Sequence, residues 1–268
     1  MGTLIGEKKP CTDGSKLCKA CALFGTVGSE ILDGENGTKE EKSVARGSHV
    51  RITDAVIDKN NGTKKVELKE LGTPRTSYIP FYSKGNEGIE RWDYDNNFQE
   101  LRGRKYYWHN TVEDVYKIED GWKDIGRDRH DSMEILKKES SFEFSVYFDL
   151  ITDTQLEELK WAICLGDNDE KSTYCQKLGH GKPIGLGSVK CLIINIEKRM
   201  FDIDAGEYKI EKDDKCCIDD NFSIEHKDDL LKISNISWMK GETISYPFVD
   251  GAEPNDNNTA AHQQTDTI

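Results

Sequence analysis

The sequence predicts an α+β fold, and three observations carry that prediction. Phe142, Phe144, Val146, Phe148 and Leu150 alternate with Glu143, Ser145, Tyr147 and Asp149, the two-residue period of a half-buried strand. Thr152 with Gln155 three residues later is a capping-box pattern, opening a helix with Leu156, Leu159 and Ile163 on one face. After a glycine-rich loop, residues 189–196 (VKCLIINI) form a second strand. Strand, helix, loop and strand with a right-handed crossover make half of a ferredoxin-like, or RRM-like, unit.

The rest of the chain is organised around that half-unit. Residues 1–25 form a cysteine-bearing turn ending in Leu23, Phe24 and Gly25. Residues 26–47 are rich in Gly, Glu and Lys and are expected to be a loop. Residues 49–57 (HVRITDAVI) are expected to be a strand, with Asn60, Asn61 and Gly62 turning the chain after it. From about 60 to 130, prolines and glycines separate short aromatic pieces, which reads as a long irregular insertion in a core spanning 26–200. An extension follows at 201–250. Within it, residues 201–232 carry eleven acidic and five basic side chains, which reads as a solvated charged loop. Residues 251–268 have the composition of a disordered tail.

Nine Phe, ten Tyr and five Trp are enough to fill one elaborated core or two small ones, which excludes a wholly disordered chain. No apolar run approaches the ~18–20 residues of a membrane span, and the first residues lack a signal-peptide core. The expectation is a cytoplasmic protein with no membrane partner. A net charge of −13 argues against a generally basic nucleic-acid binder. The charge is unevenly placed, however. Residues 42–52 hold Lys42, Arg46 and Arg51 with no carboxylate, and residues 101–109 hold Arg102, Arg104 and Lys105 with none.

Three motifs carry candidate chemistry. Cys11, Cys18 and Cys21 are spaced C-x6-C-x2-C among turn residues, a soft donor set that suits zinc. The fourth ligand would come from His49, His109, the Cys216–Cys217 pair, or a segment outside this chain. The alternative is three ordinary reduced thiols in a surface loop. Cys164 on the helix and Cys191 on the second strand are expected to be buried small side chains, and Cys175 is unexplained.

The second motif is residues 177–188 (KLGHGKPIGLGS). Gly179, Gly181, Gly185 and Gly187 open backbone conformations closed to other residues. Lys177 and Lys182, with Lys190 beyond, place positive charge beside exposed amides, which favours a phosphate-bearing ligand. It is neither a Walker A loop nor G-x-G-x-x-G. The alternative is a flexible connection. The third motif interleaves Arg102, Arg104 and Lys105 with Tyr106, Tyr107 and Trp108, as suits RNA phosphates and splayed bases. A strand with a buried aromatic face is the alternative. No catalytic constellation is present in the sequence: there is no H-E-x-x-H and no G-x-S-x-G.

With these motifs in view, the chain resembles the RAMP (repeat-associated mysterious protein) superfamily of CRISPR-associated proteins. It looks most like the backbone-type subunits of type III effector complexes. The resemblance lies in CKACALFG (18–25), ARGSHVRITDA (45–55), the glycine-rich LGHGKPIGLGSV (178–189) and, as in a subset of long members, LRGRKYYWH (101–109).

The resemblance implies a modified ferredoxin-like (RRM-like) RAMP fold and a zinc knuckle at Cys11, Cys18 and Cys21, with a histidine as the usual fourth partner. It implies guide-RNA binding and assembly with other RAMP-type subunits. Arg46 and Arg51 would contact phosphates, Gly179, Gly181, Lys182, Gly185 and Gly187 would shape the RNA-facing loop, and Arg102, Arg104, Lys105 and Tyr107 would lie along guide or target RNA. The family's opening strand and early loop have no counterpart, so a separate chain supplying that strand is a further expected partner. Two rival functions stand beside this one: an endoribonuclease using Asp33 or Asp54, and a zinc-stabilised protein-interaction module without RNA.

Overall fold

The computed structural model describes residues 11, 13–33, 39–68, 83–84, 100–101, 106–109, 131–213, 224 and 226–238. Among the described residues, α-helices are interspersed with small two-stranded antiparallel sheets, so the fold is α+β. The chain divides into two compact units. The first comprises Met1–Lys64, Asp93–Gln99 and Glu134–Leu156, and the second Lys65–Trp92, Glu100–Met133 and Glu157–Ile268.

In the first unit, α1 (Lys19–Phe24) begins at Cys18, whose sulfur accepts from the Cys21 amide and so caps the helix. It ends at Gly25, with φ +80°. A Cβ there would lie 2.5 Å from the Arg46 carbonyl oxygen, so the Leu-Phe-Gly exit requires glycine. The chain then enters β1 (Thr26–Asp33), which pairs antiparallel with β2 (Lys39–Arg46). The loop expected at 26–47 is therefore a hairpin. Its register sets Glu30 opposite Lys42 and Asp33 opposite Lys39, so residues that look loop-like in composition occupy complementary cross-strand positions.

Next come β3 (Val50–Ile52), β4 (Val56–Lys59) and β5 (Thr63–Leu68). The short β6 (Ser83–Lys84) and β7 (Glu100–Leu101) pair with each other. Then β8 (Asp131–Leu136), β9 (Ser141–Glu143) and β10 (Val146–Phe148) pair with β5, β4 and β3 in turn. Each of the two long strands expected here is broken. The Thr53 amide donates to the Ser145 carbonyl, and the Ser145 amide donates to the Thr53 hydroxyl, 3.0 Å each, so a side chain replaces one rung of the ladder. Asn60–Gly62 does not reverse the chain, because β4 and β5 have different partners. Asn61 instead bonds across to the Lys138 carbonyl at 2.9 Å, bridging an irregularity on both strands.

The capping box forms as expected: Gln155 Oε1 accepts from the Thr152 amide at 2.9 Å, and Thr152 Oγ1 accepts from the Gln155 amide at 3.2 Å. It opens α2 (Asp153–Cys164), which passes from the first unit into the second. Leu156 and Leu159 are buried as predicted, together with Trp161, Cys164 and the following Leu165, whereas Ile163 is only half-buried and Lys160 is buried beside them. Burial of each large side chain contributes roughly 1.5–3 kcal/mol.

The second unit continues with β11 (Gln176–Lys177) and β12 (Ser188–Val189), which close the glycine-rich loop. The strand predicted at 189–196 is not formed over 190–195. The Asn168 side chain takes both backbone groups of Ile193, accepting from its N–H at 2.7 Å and donating to its carbonyl at 2.9 Å. Cys191 thus lies on an irregular segment and is only half-buried. Beyond it, β13 (Ile196–Asp202) and β14 (Glu207–Asp213) form an exposed antiparallel hairpin, followed by α3 (Lys227–Ser234). Much of the acidic stretch expected to be a loop is therefore regular structure, with its charges on exposed faces. The irregular insertion and the terminal tail fall mostly or wholly outside the described residues. No helix among the described residues is long and apolar enough to cross a membrane.

Candidate functional site

Two sites stand out, one in each unit. In the first unit, α1 brings three sulfurs together. The Cys18 amide donates to Cys11 Sγ at 3.3 Å, and the Cys21 amide to Cys18 Sγ at 3.5 Å. All three Sγ atoms lie within 4.8 Å of one another. Tetrahedral zinc with ~2.3 Å bonds needs sulfurs roughly 3.8 Å apart, so the group can hold a metal ion with small rotations.

The thiols are electrostatically unequal. The Cys21 amide, and then the Cys21 thiol, lower the Cys18 pKa, while donation to Cys18 raises that of Cys21. Cys18 is thus favoured over Cys21 as a thiolate, and thiolates are the ligands.

Among the described residues no fourth donor joins the group. His49 is tied to α1 by its backbone, its amide donating to the Leu23 carbonyl at 2.9 Å, but its Nδ1 lies 3.4 Å from Asp149 Oδ1. His109 belongs to the second unit. Cys216 and Cys217 lie outside the described residues.

In the second unit the glycine loop is built from its base outward. Gln176 pairs with Val189 and Lys177 with Ser188, and the Leu178 amide then donates to the Gly187 carbonyl at 2.8 Å. That close crossing makes glycine obligatory at 187: φ is +75°, and a Cβ would lie 1.9 Å from the Leu178 carbonyl oxygen. Gly181 and Gly185, also at positive φ, flank a 3-10 turn at Lys182–Ile184 that contains Pro183. Gly179 faces open space. Among the described residues, the exposed Gly179 and His180 amides donate to no backbone carbonyl, so they are available to an anion.

The lysines of this loop behave differently from the sequence expectation. Lys177 turns inward, donating from Nζ to the Gly185 carbonyl at 2.9 Å and the Leu186 carbonyl at 3.0 Å. Burial lowers its pKa to about 8. Lys190 donates to the Glu170 carbonyl at 2.7 Å. Lys182 instead sits with its Nζ 5.9 Å from the centre of the Tyr107 ring, within cation–π range.

Tyr107 lies on residues 106–109, the end of the basic–aromatic stretch, which packs on the loop. His109 is 3 % exposed, and its Nδ1 is hydrogen-bonded to Ser188 Oγ at 2.9 Å. Burial, with the nearby Lys177 charge, lowers its pKa to about 4, so it is neutral at pH 7. Trp108 packs against Trp238 with ring centroids 4.7 Å apart, and Lys232 Nζ sits 4.4 Å over the Trp238 ring. The segment carrying Trp238 is held by backbone bonds: the Cys175 amide donates to the Ser234 carbonyl at 2.8 Å, and the Ile236 amide to the Thr173 carbonyl at 2.9 Å. Cys175 is thereby buried as a small core side chain.

The structure thus brings Tyr107, Gly179, Gly181, Lys182, Gly185 and Gly187 into one site. Arg46 ends β2 and Arg51 lies on β3 opposite Tyr147, both exposed and both in the first unit. Arg102, Arg104 and Lys105 lie outside the described residues. Of the rival aspartates, Asp33 ends β1 opposite Lys39 and Asp54 is exposed between β3 and β4. Sequence reasoning missed Ser188 and Trp238 as partners of 106–109, and only that stretch's aromatic content hinted at such packing. No protein-family model matches this chain, and no curated protein matches it.

Proposed function

We propose that this chain is a guide-RNA-binding structural subunit of a CRISPR type III-like ribonucleoprotein in antiviral defence, a RAMP-superfamily protein working in the cytoplasm. The observation that carries the reading is the seating of residues 106–109 on the glycine loop. Two segments nominated separately by the sequence share one site, with Lys182 beside Tyr107 and the Gly179 and His180 amides exposed. Cation, free amides and an aromatic face are the elements a phosphate and a stacked base require. Arg46 and Arg51 contribute phosphate contacts, as do Arg102, Arg104 and Lys105.

Zinc is the metal of Cys11, Cys18 and Cys21, and it acts as a folding staple. The RRM-like arrangement is completed in the assembled particle by neighbouring RAMP-type subunits and a strand from another chain. Support for that completion is that every sheet among the described residues is two-stranded, which leaves edges to pair. No constellation among the described residues favours the endoribonuclease reading.

The test is co-purification. The full chain carrying both Lys182→Glu and Arg46→Glu is expected to retain less RNA, with a shallower salt dependence than wild type because fewer phosphate contacts release fewer counterions. Equal RNA retention by the double variant and wild type refutes the assignment.

A further inference from the structure

We infer that Lys177 is an internal strut that presets the shape of the glycine loop, and that Lys182 alone of this pair meets phosphate. The inference rests on the RNA reading of the loop and assigns a positioning residue within it. Lys177 sits at the base of the loop on β11, while its ammonium reaches forward to the far limb. There it bonds two consecutive carbonyls, those of Gly185 and Leu186. These carbonyls precede Gly187, whose own carbonyl accepts from the Leu178 amide.

Three bonds therefore join the residues leaving β11 to the limb entering β12. The ammonium is committed to them in a part-buried position. A phosphate would have to displace two charge-assisted hydrogen bonds to recruit it. Turning the 185 and 186 carbonyls inward also keeps acceptor oxygens off the surface where an anion would sit. The Lys177 charge thus removes negative dipoles from the binding face instead of adding a contact to it. His109, buried near the Lys177 charge, is hydrogen-bonded to Ser188 at the loop base.

The experiment compares Lys177→Met with Lys182→Met in the full chain, using a fluorescein-labelled single-stranded oligouridine over a salt series. Lys182→Met should shrink the slope of log K against log salt by ~0.7, the value of one lost phosphate contact on a single strand. Lys177→Met should weaken binding about tenfold at every salt concentration and leave the slope unchanged. Lys177→Arg, which keeps the donors, should bind like wild type. A slope change for Lys177→Met equal to that of Lys182→Met overturns the inference, as does a loss with Arg equal to that with Met.

Hydrogen exchange at residues 178–187 provides a second readout that needs no RNA. Lys177→Met should speed exchange there, and Lys182→Met should not. If wild type binds no oligouridine, the RNA reading fails while the exchange data still decide the strut. Unchanged exchange in Lys177→Met overturns it.

Discussion

The imidazole Nδ1 of His109 lies 2.9 Å from the hydroxyl of Ser188, 79 residues further along the chain. This one contact joins the aromatic stretch to the closing strand of the glycine loop. It also places a titratable ring in the interior, with Lys177 as its nearest charged influence. The neutral ring keeps both a donor and an acceptor, whereas the protonated ring would be a second buried cation beside Lys177.

Acid should therefore loosen the packing of residues 106–109 on the glycine loop. The folded His109 pKa of about 4 lies below the ordinary 6.5, so the unfolded chain binds the extra proton between those values. The stabilisation is full above about pH 6.5 and is lost as pH falls towards 4, amounting to on the order of 3 kcal/mol. His109→Gln should flatten the dependence of urea midpoint on pH across this window. A variant retaining the wild-type slope would move the titration to another group.

Gly187 gives a sharper test of the loop itself. Alanine there meets the Leu178 carbonyl at 1.9 Å and is strained at φ +75°, whereas alanine at Gly179 meets nothing. Both positions carry the left-handed penalty of roughly 1 kcal/mol, but only the first must also open the loop base. Gly187→Ala should accelerate proteolysis within 177–188 and lower urea stability by about 2 kcal/mol or more. Gly179→Ala should cost about half as much. Equal effects would show that the close crossing is not what holds the loop.

The sequence was most legible where chemistry acts locally. The Thr152–Gln155 box, the apolar face of α2 and the cysteine cluster each depend on neighbours a few residues apart. It was least legible where a distant side chain decides. The run at 190–195 has strand-like composition, but Asn168 takes the backbone groups of Ile193. The β1–β2 hairpin hid behind charged residues whose cross-strand complements become visible only in register. Lys177 was the subtlest case, because a cation in a glycine loop looks like a ligand until its carbonyl partners are seen.

For the cysteine cluster, native mass spectrometry of the full chain should report one zinc ion, removable by chelator. Cys18→Ser should abolish it, because it removes one of the three clustered sulfurs, and one whose ionisation its neighbours favour. Metal affinity should fall with acid, as protons compete for the sulfurs. Zinc retained at full stoichiometry by Cys18→Ser would place the metal elsewhere in the chain.

Asn168 supplies the last test, of why the second strand does not form. Its side chain donates to the Ile193 carbonyl and accepts from the Ile193 amide, satisfying a half-buried peptide as a neighbouring strand would. Asn168→Ala leaves both groups without those partners and should cost about 1–3 kcal/mol in urea unfolding. Asn168→Asp keeps the acceptor but sets a carboxylate against the carbonyl, so it should be no milder than alanine. Amide exchange at Ile193 should rise in both variants while that of α2 is unchanged. Should exchange at Ile193 stay slow in Asn168→Ala, the segment is held by its apolar contacts, and the side-chain clasp is incidental.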